Sequence, residues 1–385
     1  ANKTFTNLPY SKTVICCIFS PVIHTYRIGK KKNISMQKIP RGFIIPSAGL
    51  TLSKKQLKIF QEINHPPRFG DVVFGEVDRI GQHSSLENVS GRIHTIHRGT
   101  RAIFVFGNRY APDYYEGTLP EEFQPQVDLL ARSGMIGIVR TKKEIIKDPT
   151  RVNILGYVVD EAGKILNTLN FPKIQPKLTE KKYPRSPLIL VVGSSMNSGK
   201  SMAATACVWT YYSLKQKVRA SKVTGTASLK DILSMNDAGA NPYNDFSYLG
   251  YPSTYLIPEE ELIAIFNNLD LSYANNPNNY WVVELADGIL QRETSILLSS
   301  PDLQKRIYRL IFCASDAFSA IGGINILRDH FNLVPDAISG ICSSSPLHIR
   351  ELQSVVDIPV FNSAKPDLEI LKPLLLMKSR SINNH

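Results

Sequence analysis

Cysteine is scarce and without pattern. The 385-residue chain has five, Cys16, Cys17, Cys207, Cys313 and Cys342, an odd number with no CxxC pair. This argues against a disulfide framework and a cysteine-based zinc site, and it favours a reducing compartment, the cytoplasm. Long apolar runs are missing as well. The segment TVICCIFSPVI at residues 13–23 falls well short of the ~20 residues that a spanning helix needs. It also lacks a small-residue cleavage site, so it is expected to be an ordered strand or an extension outside the core, with no transmembrane span. Acidic residues are absent from the first 50 positions, which carry Lys3, Lys12, Arg27, Lys30, Lys31, Lys32, Lys38 and Arg41 and so hold +8 of the formal +12. The charge therefore describes an arm. It is either a solvated basic tail or a contact for nucleic acid or another anionic surface. No internal repeat or long low-complexity segment is present, and the length suggests two domains.

The remaining chain divides by pattern. Residues 1–49 are expected to be a basic extension and residues 50–169 a smaller β-rich domain, barrel or sandwich-like. Its strand candidates are short Val, Ile and Phe-rich runs such as GDVVFGEVDRI, GRIHTI, TRAIFVFGN, GMIGIV and RVNILGYVVDEAGKILNTL. The last of these suggests a hairpin turning at Glu161, Ala162 and Gly163. Helical patterns are expected at 54–63 and 121–132. Residues 170–187 hold four prolines and a Lys/Arg cluster, which predicts a linker. Residues 188–385 alternate apolar strands, at 188–192, 218–223, 280–285, 310–314, 337–341 and 359–362, with helical stretches at 201–215, 259–268 and 289–298. Fully apolar strands separated by helices predict an α/β fold whose mostly parallel sheet has helices on both faces.

The chemistry concentrates in PLILVVGSSMNSGKSMAATA at residues 187–206, an apolar strand, a glycine-bounded turn and a helix. This is the context of a phosphate-binding loop. Gly193 ends the strand, and the loop of Ser194, Ser195, Met196, Asn197 and Ser198 leads to Gly199, where the backbone can approach a phosphate at a helix N-terminus. Lys200 would reach the β and γ phosphates, and the Ser201 hydroxyl would ligate Mg²⁺. Glu284 ends the apolar run WVVE, where a carboxylate is costly to bury unless a cation compensates, as Mg²⁺ beside the loop would. Asp287 competes for that role or caps the next helix, and Asp231, Asp237 and Asp245 cannot be ranked from their positions. Lys222, at another strand end, is suited to neutralising transition-state charge. In the β-rich part, FGNRYAPDYYEG at residues 106–117 packs Arg109, three tyrosines and two acids into one loop, suited either to a ligand or interface role or to a packed turn.

Five residues separate Gly193 from Gly199, where the common loop has four. In this the chain resembles dethiobiotin synthetase and its relatives, the P-loop class that includes the molybdopterin-guanine dinucleotide biosynthesis GTPases. The resemblance continues in order through ASKVTGTAS at 220–228, KDILSMNDAGA at 230–240 and WVVELADG at 281–288, and covers about residues 187–364. It implies that Lys222 and Thr224 face the acceptor or the γ-phosphate, and that Asp237 and Glu284 help hold Mg²⁺. Leu285 stands where the family has glycine, and no proline follows Lys222, which argues against diaminopelargonate as the acceptor. No Asn-Lys-x-Asp guanine signature occurs. Ser363, Ala364 and Lys365 resemble a guanine-contacting loop of GTPases, so ATP leads and GTP is the alternative.

Together these features predict a Mg²⁺-dependent ATPase, kinase or ATP-dependent ligase acting on a small acid or amine, with a homo-oligomer compatible with the sequence. The alternatives are a nucleotide-dependent switch or adaptor with a macromolecular partner, and a polynucleotide kinase-like protein.

Overall fold

A computed structural model describes residues 35–175, 180–181 and 183–376. Most of the expected basic arm, including the apolar segment 13–23, lies outside these residues. The first part is built from β1 (Gln37–Lys38), β2 (Ile59–Gln61), β3 (Val72–Arg79), β4 (Ser85–Glu87), β5 (Ile93–Thr95), β6 (Arg101–Phe106), β7 (Arg109–Tyr110), β8 (Tyr115–Thr118), β9 (Gln126–Leu129), β10 (Met135–Lys142) and β11 (Thr150–Val159). Five of these close a ring. β3 pairs with β6, β6 with β10, β10 with β9, β9 with β11, and β11 returns to β3, all antiparallel except β6 with β10. Alternation sets the faces: Val73, Val77, Phe104, Phe106, Val127, Leu129 and Val152 fill one core, while Val72, Phe74, Ile103 and Val158 pack outward under Ile45, Leu52 and Phe60. Ile45 and Ala48 are buried in this fold, so it begins before residue 50.

Two expected helices in this part are strands or turns. At 54–63, Leu57 and Phe60 are both buried three residues apart, which imitates a helical face, yet the chain turns at Gln56 and continues as β2 on the edge of β11. At 121–132, Val127 and Leu129 alternate into the barrel, and Pro125 removes a backbone donor that a helix would use, so β9 completes the ring. The hairpin at 161–163 is present, with Asp160 accepting from the amides of Ala162 and Lys164. In the expected linker, Arg185 is buried and pairs with Asp270 at 2.7 Å, so the end of that segment is docked.

The second part contains β12 (Leu188–Gly193), α1 (Lys200–Ser213), β13 (Lys217–Lys222), α2 (Leu229–Asp237), β14 (Tyr243–Asp245), α3 (Glu259–Tyr273), β15 (Asn279–Glu284), α4 (Arg292–Ser299), α5 (Pro301–Gln304), β16 (Ile307–Cys313), α6 (Ala317–Phe331), β17 (Ala337–Ser339), α7 (Pro346–Gln353) and α8 (Leu368–Leu376). The six strands form a wholly parallel sheet in the order β14-β13-β15-β12-β16-β17. Ile189 and Val191 of β12 pack against α1, α2 and α8, while Leu190 and Val192 face the layer of α3, α4 and α6. The sheet is thus covered on both faces. The expected strand at 359–362 is reduced to one bridge from Val360 to Ile338. Residues from Ser35 onward form one compact unit, with the barrel touching the segment 246–255: Ser253 donates to Asn108 O at 2.5 Å and Tyr255 to Glu116 at 2.8 Å. Among the described residues no helix is long and apolar enough to cross a membrane.

Candidate functional site

β12 leads directly into residues 193–199, and α1 starts at Lys200, so the first amides of that helix face the cleft at the C-terminal edge of the sheet. Gly199 is left-handed (φ +99°), and a side chain there would meet Gly340, itself at φ +94° after β17. Two glycines therefore let the loop rest on the next chain crossing, where Ile341 N donates to Ser198 O at 3.2 Å. Lys200 is buried, and its Nζ donates back to Ser195 O at 2.7 Å, which holds the ammonium against its own loop. Burial lowers its pKa, opposed by the nearby Glu284 and Asp287.

The floor of the cleft comes from strand register. Lys222 ends β13 beside Asp245 of β14 and Glu284 of β15, so three adjacent strands finish with titratable groups. Lys222 is bound tightly to Asp231 on α2 and lies 3.7 Å from Glu284. Burial works against its charge, but the two acids override this and hold it protonated, above the usual lysine range. Burial pushes Glu284 above the usual glutamate range despite Lys222, and among the described residues its Oε2 has no hydrogen-bond partner. Its Oε1 accepts from Ser201 Oγ at 3.0 Å. Asp287, held at φ +59°, is likewise raised by burial. Two lysines thus face three carboxylates, two of which burial holds back from ionising, a cost that a cation beside them would relieve. No group of three or more His, Cys, Asp or Glu residues capable of holding a metal occurs among the described residues. The donor set of Ser201, Glu284 and Asp231 instead suits Mg²⁺ that draws its other ligands from phosphate and water.

Of the loop residues, Met196, Asn197, Gly199, Lys200 and Ser201 line an open cavity of about 790 Å³, together with Lys222, Asp231, Glu284 and Asp287. Gly193, Ser194, Ser195 and Ser198 shape the loop but do not line it. Asp237 is corrected: it is exposed at the far end of α2, whereas Asp231 in the first turn faces the cleft. Thr224 is also corrected. It is buried off the lining, where its hydroxyl accepts from Ala286 N at 2.7 Å and ties the ends of β13 and β15 together. Ser363, Ala364 and Lys365 lie beyond the Val360 bridge and do not line the cavity. The opposite wall belongs to the barrel, with His83, Arg109, Tyr110, Tyr114, Arg132 and Ser133. Asp113 accepts from Asn197 Nδ2 at 2.8 Å and so joins the barrel loop to the phosphate loop. Of this wall, the sequence reading singled out only the loop containing Arg109.

No family model and no curated protein matches the chain. Among solved structures, it is similar to the signal recognition particle receptor FtsY from Elizabethkingia anophelis in complex with GDP, at 11% identity over 53% of this chain and 64% of that one, with a TM-score of 0.30. It is also similar to a ParA family ATPase from Chlorobium tepidum TLS, at 12% identity over 50% of this chain and 88% of that one, with a TM-score of 0.31. The match thus spans under two thirds of the FtsY chain. Likeness at this level carries no argument about activity, so the functional reading rests on the cleft itself.

Proposed function

We propose that the cleft binds a nucleoside triphosphate with Mg²⁺ and moves its terminal phosphoryl group to a small acid or amine, or to water. The observation that carries this reading is Lys200. It is buried at the start of α1, leashed to the loop by hydrogen bonds to Ser195 O and Ser198 Oγ, and set beside an acidic floor. The amides of residues 195–201 would cradle the phosphates, and Lys200 would exchange Ser195 O and Ser198 Oγ for phosphate oxygens. Ser201, Glu284 and Asp231 would hold the metal, which when bound supplies charge neutralisation at the transferring group. Lys222, kept protonated by Asp231 and Glu284, contributes a fixed positive charge at the same place. ATP is the first choice of nucleotide and GTP the alternative, with the finer kinship to dethiobiotin synthetases resting on the motifs alone.

Thermal unfolding with ATP or GTP, each with and without Mg²⁺, tests the reading. A nucleotide at a hundred times its Kd stabilises by about 2.7 kcal/mol. The parent is expected to show a saturable, Mg²⁺-dependent rise with one nucleotide, and Lys200→Ala to lose it. Retention of the full shift by Lys200→Ala, or no shift with either nucleotide, overturns the proposal. The contact of Asn197 with Asp113 also favours a second reading, a switch in which nucleotide state reaches a partner through the barrel. That version predicts slow turnover stimulated by the partner and no small-molecule acceptor.

A further inference from the structure

The barrel wall of the cleft carries a cation that has no counter-ion among the described residues. Arg109 is 7% exposed, and among the described residues no carboxylate lies within ion-pair distance of it; Asp287 acts on it only through space. Its Nη1 donates to Leu130 O and lies 2.8 Å from His83 Nε2, its guanidinium sits 5.3 Å from the centre of the Tyr114 ring, and among the described residues its buried Nε has no partner. His83 Nε2 also lies 3.0 Å from Leu130 O, and it either donates to that carbonyl or accepts from Arg109 according to its tautomer. Burial and the adjacent Arg109 depress the imidazole to about 3, so this neighbour brings no compensating charge. A second buried donor lies on the same wall. Ser133 is 2% exposed, and among the described residues its Oγ has no partner. Arg132, next to it, lines the cavity from the exposed edge.

A buried cation with open donor positions is costly, and a cavity-facing one is stabilised by an anion that accepts those hydrogen bonds. The phosphate loop has its own cations, Lys200 and Lys222, and its own helix terminus, so the barrel wall is not needed to complete it. A cavity of about 790 Å³ also has room for more than a triphosphate group. We propose that the barrel wall is a second anion site, separate from the phosphate loop, where Arg109, Arg132 and Ser133 bind a carboxylate or phosphate group of the acceptor. Naming its ligand the acceptor rests on the phosphoryl-transfer reading, whereas the anion site does not.

The test is thermal unfolding of the full chain in sodium succinate or sodium phosphate against sodium chloride at matched ionic strength, which also separates the two sources of the anion. A saturable rise in Tm with at least one of them is expected in the parent and in Lys200→Ala. Arg109→Met should lose it, and Ser133→Ala should need at least tenfold more anion for half the effect. Methionine fills part of the guanidinium's space without its charge, so Arg109→Met is expected to melt no lower than the parent in chloride. If that variant does not fold, Ser133→Ala and the edge variant Arg132→Gln carry the test. A shift lost in Lys200→Ala but kept in Arg109→Met or Ser133→Ala would put the anion on the phosphate loop and overturn the proposal, as would the absence of any saturable shift. Failure of MgATP and MgGTP to stabilise the parent would overturn the phosphoryl-transfer reading and leave this site standing.

Discussion

Replacing Glu87 with alanine tests whether the barrel holds the active helix of the α/β part in place. Glu87 is a buried barrel residue, yet its Oε2 accepts from Leu229 N at 2.9 Å, the first amide of α2, and from Ser47 Oγ at 2.7 Å. Ser228 stands at the N-cap position but makes no cap hydrogen bond of its own, and instead its hydroxyl reaches Glu87 Oε1 at 3.4 Å. Glu87 is therefore the cap, supplied from another part of the chain. Losing a cap costs about 1 kcal/mol. Leaving the Leu229 amide and the Ser47 hydroxyl buried without an acceptor adds roughly 1–3 kcal/mol for the first donor and a similar amount for the second if no water enters. The expected loss is about 3–7 kcal/mol, and at roughly 2 °C per kcal/mol for a large folded unit this lowers Tm by about 6–14 °C. Glu87→Gln keeps an acceptor oxygen and should lose less than half as much. Asp231 sits in the first turn of α2, so loosening the cap should also weaken its hold on Lys222 and reduce the Mg²⁺-nucleotide shift. Circular dichroism melts of the parent, both variants and the Ser47→Ala double mutant provide the measurement. If Glu87→Ala melts within about 1 °C of the parent, below what one lost cap would produce, the capping argument is wrong.

Two further outcomes follow from buried groups near the cleft. Burial pushes Asp245 up to about 6, and among the described residues its Oδ2 has no partner, while Oδ1 accepts from Ser247. The unfolded chain ionises this group first, so its contribution to stability falls as pH rises from about 4 to 6, by about 3 kcal/mol in all. Asp245→Asn keeps the Oδ1 acceptor. Relative to the parent it should gain stability progressively over that window and hold the gain at pH 8; a difference in Tm that does not grow with pH refutes this. At Gly340 a Cβ would lie 2.2 Å from Ser198 O on a backbone at φ +94°, so Gly340→Ala must push the phosphate loop away. Its half-saturation by Mg²⁺-nucleotide, read from Tm titrations, is expected to rise at least tenfold, equivalent to about 1.4 kcal/mol. An unchanged midpoint would show that the loop does not depend on this crossing.

What the sequence made legible was local. Residues 193–201 are contiguous, so strand, turn and helix start can be read together, and Lys222 and Glu284 stand out because a charge at the end of an apolar strand is conspicuous. Asp231 and Asp237 share one helix and could be separated only by its turning. At about 100° per residue, Asp237 lies about 140° from the centre of the face that buries Leu229, Ile232 and Met235. That signal was available and would have set Asp237 aside. The barrel wall had no such signal, because its contacts are long-range: Glu87 and Leu229 are 142 positions apart, and Asp113 and Asn197 are 84 apart. Short strands misled for another reason. The pairs Leu57 with Phe60 and Val127 with Leu129 are too few residues to fix a period, so ring closure, not propensity, decided their form.

Charge explains why the two parts need one another at the cleft. On the sheet side, Lys200 and Lys222 face Asp231, Glu284 and Asp287, and burial keeps Glu284 and Asp287 reluctant to ionise. On the barrel side, Arg109 is buried and Arg132 stands at the edge, and among the described residues no carboxylate of the barrel lines the cavity. Neither wall is electrostatically settled alone. Asp287 and Arg109 attract across the gap without touching, which is too weak to close it but lowers the cost of holding both charges near one another. A cation on the sheet side and an anion on the barrel side would each satisfy one wall. Both would then lie in one cavity, the shared enclosure that transfer between two bound groups requires.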